Sequence, residues 1–274
     1  MKPLGIVSDE IARDFREAVH VGTSLGIRRY EIRSLAAGRA PMCGDAAMEE
    51  AERIARGEGV EITALSPGLF KLTDSEAAFR REMAEVYPRA AGWARRWGLP
   101  GLIVFGFHKP GATEATAPQF PSDNPPSEIR AWFEEAAARA AADGLTLMVE
   151  PEPICWCDSG SAAVALIRGL ANVRINLDPG NVAWLTNSSP FPEFDAVARY
   201  IANVHVKDIR PVTGDPEWVP AGEGIVDYAA HFRALRGIGY DGPISLEPHM
   251  DFSREATRLC KEAVERLRAA AAEE

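Results

Sequence analysis

Three acids in this chain share one setting. Each closes an apolar run and each is followed at once by proline: Leu145-Thr146-Leu147-Met148-Val149-Glu150-Pro151, Ile175-Asn176-Leu177-Asp178-Pro179 and Ile244-Ser245-Leu246-Glu247-Pro248. Proline has no amide hydrogen and cannot continue an interior β-ladder. It also holds the residue before it extended. Glu150, Asp178 and Glu247 are therefore expected at the C-terminal ends of three strands, the edge where parallel α/β sheets and barrels bind ligands.

Strand parity brings in a fourth group. In Asn203-Val204-His205-Val206-Lys207 the valines share one face, and Asn203, His205 and Lys207 share the other. The same alternation sets Val149 against Glu150, Leu177 against Asp178, and Leu246 against Glu247. If the branched apolar face packs on outer helices, Glu150, Asp178, His205 and Glu247 all point to one interior mouth. Three carboxylates there would repel and raise each other's pKa. A bound divalent cation removes that cost. Three oxygen ligands and one imidazole suit Mn²⁺, Mg²⁺ or Co²⁺, with positions left for substrate oxygens. Zn²⁺ also fits, although it usually has more nitrogen or sulfur ligands.

The elements that must position these groups alternate from end to end. Strands are expected over Leu4–Ser8, Arg29–Arg33, Glu61–Leu65, Leu102–Phe105, Leu145–Glu150, Arg174–Asp178, Asn203–Lys207 and Ile244–Glu247. Helices are expected over Asp9–Gly26 (Asp14 capping), Asp45–Gly57, Ser75–Trp97 with a kink near Pro88, Ser127–Ala142, Ser159–Leu170, Phe194–Tyr200, Val226–Gly237 and Ser253–Ala272. The Pro-rich stretch from Pro110 to Pro126 has the length of a lid or binding loop. Eight βα units without a composition shift read as a single-domain (β/α)8 TIM barrel over residues 1–274, ahead of a doubly wound open sheet.

Composition sets the outer limits. The 274 residues are 46% hydrophobic and 26% charged, with a formal net charge of −10. That is globular composition with an acidic balance, which disfavours a phosphate backbone as partner. Four cysteines, Cys43, Cys155, Cys157 and Cys260, are too few for a disulfide scaffold, so reduced thiols in the cytoplasm are expected. No long apolar run is present, so neither a signal peptide nor a membrane span is expected.

Several phrases resemble a known family. Val149-Glu150-Pro151, Asn176-Leu177-Asp178-Pro179-Gly180-Asn181, Val204-His205-Val206-Lys207-Asp208, Gly222-Glu223-Gly224 and Ser245-Leu246-Glu247-Pro248 are similar to the xylose isomerase-like sugar phosphate isomerase/epimerase superfamily. Ile6-Val7-Ser8-Asp9-Glu10-Ile11 and Tyr30-Glu31-Ile32-Arg33 resemble its first two strands. The resemblance covers nearly the whole chain. It implies that Glu150, Asp178, His205 and Glu247 bind one divalent metal, that Glu150 and Glu247 act as acid and base on opposite sides of the substrate, and that the protein is a homo-oligomer. One departure is Asn181: ketose 3-epimerases of the superfamily often carry histidine three residues after the second acid ligand.

On this reading a small polyhydroxy carbonyl substrate is isomerised or epimerised through an enediolate, and the same intermediate could expel a β-hydroxyl, as in an inosose or dehydroshikimate dehydratase. A nuclease like endonuclease IV would need more histidines than the five present. Lys207, Asn181, His108, Glu223 and Trp184 are candidate substrate contacts, with bland alternatives beside them. Lys207 can serve a salt bridge. His108, with Lys109, can be loop surface, and His249 is similar. Trp184, with Trp156 and Trp218, can pack loops. Gly222-Glu223-Gly224 can be a simple turn or an anion-binding run of amides. Glu10, Glu31 and Arg33 are expected in the lumen, as supports for the site or as an ion-pair network. Cys155-Trp156-Cys157 reads as structural, and His20 and His231 as ordinary helix residues.

Overall fold

The computed structural model of the protein describes residues 2–113, 116–117, 125–211 and 216–273. Eight parallel strands carry the fold: β1 (Gly5–Val7), β2 (Arg29–Ile32), β3 (Glu61–Leu65), β4 (Gly101–Phe105), β5 (Thr146–Glu150), β6 (Val173–Leu177), β7 (Ile201–Val206) and β8 (Ile244–Leu246). They run in the order β3-β2-β1-β8-β7-β6-β5-β4, every bonded pair parallel. β3 and β4 lie side by side across the last seam. The result is a nearly closed (β/α)8 barrel.

The helices of the described residues are α1 (Phe15–Ser24), α2 (Asp45–Glu58), α3 (Glu76–Arg96), α4 (Ser127–Ala142), α5 (Gly160–Ile167), α6 (Pro179–Thr186), α7 (Phe194–Val197), α8 (Tyr228–Gly237) and α9 (Arg254–Glu273). Their starts have local causes. The side chains of Asp14, Ser75, Ser159, Asp178 and Asp227 each accept from an amide three residues on, the N-cap arrangement. Gly26 and Gly59, both with positive φ, follow the ends of α1 and α2. α3 continues through Pro88.

Three features were not expected. α6 starts directly after Asp178, with Pro179 at its first position, where a missing N–H costs nothing. A small hairpin, Ser34–Leu35 with Gly38–Arg39, is inserted after β2. A second, Asp208–Ile209 with Trp218–Val219, follows β7. Of the Pro110–Pro126 loop, residues 114–115 and 118–124 lie outside the described residues, so a lid there has no structural account.

The main core lies between strands and helices, where Val104, Leu147, Ile175, Val204 and Leu246 meet Phe79, Phe133 and Phe232. Inside the barrel, Ala64, Ile103 and Met148 form a small apolar plug with Ala202. Ala202 breaks the parity of its neighbours because the β6–β7 register slips there, pairing Ile175 with Ile201 and Asn176 with Asn203. Above the plug the lumen turns polar, through Asn176, Asn203, Ser245, Glu31 and His205, all buried. No helix among the described residues is long and apolar enough to cross a membrane.

Candidate metal centre and the cavity around it

Four neighbouring strands deliver the acids and the imidazole. Glu150 is the last residue of β5, His205 lies within β7, and Asp178 and Glu247 each follow the final residue of β6 and β8. One ligand atom from each of the four comes within 4.8 Å of all the others. All four side chains are buried. The parity argument holds at each position.

Each member of the cluster is aimed by a partner. His205 Nε2 lies 2.8 Å from Glu31 Oε2, so the bonding network assigns its proton to Nε2. Nδ1 then faces the acids, 3.3 Å from Glu247, 3.6 Å from Glu150 and 4.0 Å from Asp178. Glu31 is itself held by the Asn203 amide at 2.9 Å. This is the carboxylate–histidine arrangement that fixes tautomer and ring orientation at metal sites. Glu150 accepts from Asn176 at 2.9 Å and from Asn181 at 3.2 Å. Asp178 gives one oxygen to cap α6.

The other oxygen of Asp178 tests whether a cation fits. Asp178 Oδ2 is buried with no aligned hydrogen bond, and its nearest positive group is Lys207 Nζ, an ion-pair contact at 2.8 Å. One lysine alone offsets the burial of that oxygen, which is costly for a carboxylate. It faces two further carboxylates and an imidazole nitrogen, a donor set that suits a hard divalent cation. A metal therefore fits these residues.

Electrostatics follow the same crowding. Burial pushes the Asp178 carboxyl up to about 7, helped by Glu247 and Glu150 and opposed by Lys207. Burial disfavours the imidazolium of His205, but Glu31, Glu247 and Glu150 together outweigh it and hold its pKa well above the ordinary value. Burial alone would raise Glu247, yet Lys207, His205 and His249 hold it well below the usual carboxylate range.

Lys207 Nζ lies 2.7 Å from Glu247, and its stem lies against α6. A Cβ at Gly180 would fall 2.5 Å from Lys207 Cγ, so only glycine allows this approach. Arg33 bonds Asp9 at 3.0 Å and both Glu10 and Glu247 at 2.6 Å. Glu10, Glu31 and Arg33 thus line the lumen as expected, forming an ion-pair network that also holds two residues of the cluster.

A cavity of about 360 Å³ opens at this mouth, and Glu150, His205, Lys207 and Glu247 lie on its wall. Asn181 is buried one bond behind, on Glu150. His108, Trp184 and Glu223 do not line it. His108 pairs with Cys155 in an isolated bridge, and Glu223 is exposed. Trp184 stacks edge-on against Trp218, which in turn meets the His249 ring. Trp218 also lies under Lys207, whose Nζ is 5.7 Å from the ring centroid. The amides of Gly222 and Gly224 do bind a carboxylate, but it is the protein's own: both donate to Asp208 Oδ2, at 2.8 and 3.1 Å.

Sequence reasoning missed Asn176 and Asn203 as supports, although strand parity had already turned both inward. It also missed Asp9, Arg39 and the Lys71–Glu152 pair, 2.9 Å apart, on the cavity wall. These belong mostly to loops, where no periodicity marks a direction.

Comparison with known proteins agrees with this fold. The family model described as xylose isomerase-like TIM barrel matches residues 23–270. The putative L-ribulose-5-phosphate 3-epimerase UlaE of Shigella dysenteriae is 29% identical over 182 residues, 65% of this chain and 60% of that protein. The chain thus spans less than two thirds of that curated relative. A D-tagatose 3-epimerase-like protein has the same fold, with a TM-score of 0.75 at 17% identity, covering 98% of this chain and 99% of its own. So does a xylose isomerase-like TIM barrel protein from Mycobacterium smegmatis in complex with magnesium, with a TM-score of 0.68 at 19% identity over 94% of this chain and 89% of its own.

Proposed function

Matched over residues 23–270, the chain belongs to the xylose isomerase-like TIM barrel family, and on that premise we propose that it is a divalent-metal-dependent isomerase or epimerase of a small polyhydroxy ketone. The observation that carries this reading is the convergence of Glu150, Asp178, His205 and Glu247 within 4.8 Å, with Glu150, His205 and Glu247 on the wall of a cavity. The name of its 3-epimerase relative supports it.

Glu150, Asp178, His205 and Glu247 would hold the ion, with Mn²⁺, Mg²⁺ or Co²⁺ favoured by the oxygen-rich set and Zn²⁺ next. When bound there, the ion polarises a substrate carbonyl and offsets the charge of an enediolate. The remaining work falls to side chains. Glu150 on β5 and Glu247 after β8 are separated by β6 and β7, so they address a substrate from two sides. One takes the proton from the carbon beside the carbonyl and the other, or the same one, returns it, a contribution of about 10²–10⁴-fold. Lys207 and Arg33 fix both oxygens of Glu247, and Asn176 and Asn181 fix those of Glu150. Lys207, on the same wall, would also contact a substrate oxygen. The same reading takes residues 1–274 as one domain of a cytoplasmic homo-oligomer that acts on a small molecule, with neither nucleic acid nor membrane as partner.

The test is incubation of the metal-supplemented protein with ketoses, inososes and hydroxypyruvate in D₂O, followed by NMR. Deuterium entering the carbon beside the carbonyl is the expected result. Loss of water instead identifies a dehydratase. Absence of exchange with every compound, together with no retained metal, overturns the reading.

A further inference from the structure

The cations on the cavity wall are not equivalent. Arg33 is neutralised by Asp9, Glu10 and Glu247, Lys71 by Glu152, and Lys207 by Asp178 and Glu247. Arg39 has no carboxylate at ion-pair distance among the described residues. It comes from the hairpin after β2 and lines the same cavity.

Its pose is built rather than loose. Nε donates to Ser66 O at 3.1 Å and Nη2 to Ser66 Oγ at 3.2 Å. Those two nitrogens form one edge of the guanidinium, so the Nη1–Nη2 edge keeps N–H groups without a protein acceptor among the described residues. Gly68 supports the other side. A Cβ there would lie 3.3–3.4 Å from Nε, Cζ and Nη2, on a backbone already at φ +81°. Burial pulls the Arg39 pKa down to about 10, with Arg33 adding to the fall and the more distant Asp9, Glu150 and Glu247 opposing it. A partly buried guanidinium without a carboxylate at ion-pair distance is costly, and a bound anion removes that cost.

Neighbours reinforce the same wall. Arg13 lines the cavity without an ion pair among the described residues, and so does the hydroxyl-bearing Ser34. Arg13, Ser34, Arg39 and Ser66 follow β1, β2 and β3, whereas three of the four cluster residues belong to β5, β6 and β7. In strand order these groups sit on opposite flanks of the barrel.

We infer that Arg39, oriented by Ser66 and joined by Arg13 and Ser34, is an anion subsite that takes a phosphate or carboxylate carried on the substrate end remote from the reacting carbons. The inference rests on the reading of the cavity as a polyhydroxy carbonyl site and narrows its substrate class to acidic sugars or sugar phosphates. Planar fork-to-oxyanion pairing of this kind is specific to arginine.

The test is calorimetric titration of the full chain with inorganic phosphate, with acetate and with the neutral ketopentose L-ribulose. A charge-assisted hydrogen bond contributes about 1.5–3 kcal/mol, so Arg39→Gln is expected to weaken one of the two anions by roughly 10–100-fold. Which anion is affected tells phosphate from carboxylate, and neutral ketopentose binding is expected to be unchanged. Arg39→Lys keeps the charge without the fork and is expected to recover only part of the loss. Equal anion affinity in the parent and a folded Arg39→Gln overturns the inference. If Arg39→Gln does not fold, Arg13→Gln at its exposed position decides: unchanged affinity for both anions overturns it, and a several-fold loss supports it. Calorimetry reads binding without turnover, so failure of the deuterium experiment and failure of this one are separately visible.

Discussion

Glu31 and His205 lie 2.8 Å apart, carboxylate to Nε2, deep in the barrel, although 174 residues separate them in the chain. That one contact decides which imidazole nitrogen faces the three acids. A Glu31→Gln change offers an amide donor or a weaker acceptor and loosens the tautomer. Metal affinity is expected to fall about 10–100-fold. Metal titration followed by equilibrium dialysis measures it, and an unchanged dissociation constant contradicts the role.

Glu150 accepts from two amides and lies 3.6 Å from His205 Nδ1. Glu150→Gln is nearly isosteric and should leave the barrel folded. Exchange of deuterium into substrate is expected to drop by about 10²–10⁴-fold. The variant's melting curve and its exchange rate, read side by side, separate a chemical loss from a folding loss.

Lys207 neutralises Asp178 and Glu247 at 2.8 and 2.7 Å. Lys207→Met takes the lysine from buried Asp178 and leaves Glu247 with Arg33, and breaking a buried pair in this way typically costs about 3–5 kcal/mol. The chelated variant should therefore melt well below the chelated parent. Added Mn²⁺ supplies the missing positive charge and should close most of that gap. A gap that metal leaves untouched would show that Lys207 acts by packing alone.

Asp208 gathers four backbone amides, from Ile209, Gly222, Gly224 and Val226. A Cβ at Gly224 would fall 2.2 Å from Asp208 Oδ1 and 2.4 Å from Ile209 O. Gly224→Ala must push this loop apart, and overpacking of that kind costs about 1–3 kcal/mol. Urea unfolding should reveal the loss, whereas Gly237→Ala, where nothing lies within 4 Å of the new atom, should not be affected in the same way.

His231 is buried on α8 against Phe191, Phe194 and Tyr228, with neither ring nitrogen hydrogen-bonded among the described residues. Burial lowers its pKa to about 4. The folded state therefore refuses a proton that the unfolded chain accepts near pH 6.5. Stability is unaffected by this group above about pH 6.5 and falls as pH drops from there toward about 4, by roughly 3 kcal/mol in all. His231→Phe should flatten that part of the stability–pH curve. An identical acid slope in parent and variant contradicts the assignment.

Much of the fold could be read in advance because it depends on local rules. Proline after Glu150, Asp178 and Glu247 ends the runs where the strands do end, within one residue. The period-two pattern of β7 assigned His205 and Lys207 to the lumen, and the contacts place both there. The same rules failed at α6, whose eight residues were passed over because a Pro-Gly start looks like a turn until Asp178 caps it. They placed His231 on a helix, as found, but said nothing of its environment, which residues outside that helix supply.

The amino-acid order by itself determined the alternation of eight strands with helices and the face each strand turns inward, because φ/ψ limits, capping and strand parity act over a few residues. Closure of the barrel decided what those faces meet. Only there does Glu31 reach His205, Arg33 bridge Asp9, Glu10 and Glu247, and Arg39 stand on the cavity wall without a carboxylate at ion-pair distance among the described residues. Such pairings join residues far apart in the chain, and their energies depend on burial and distance, which no local pattern encodes.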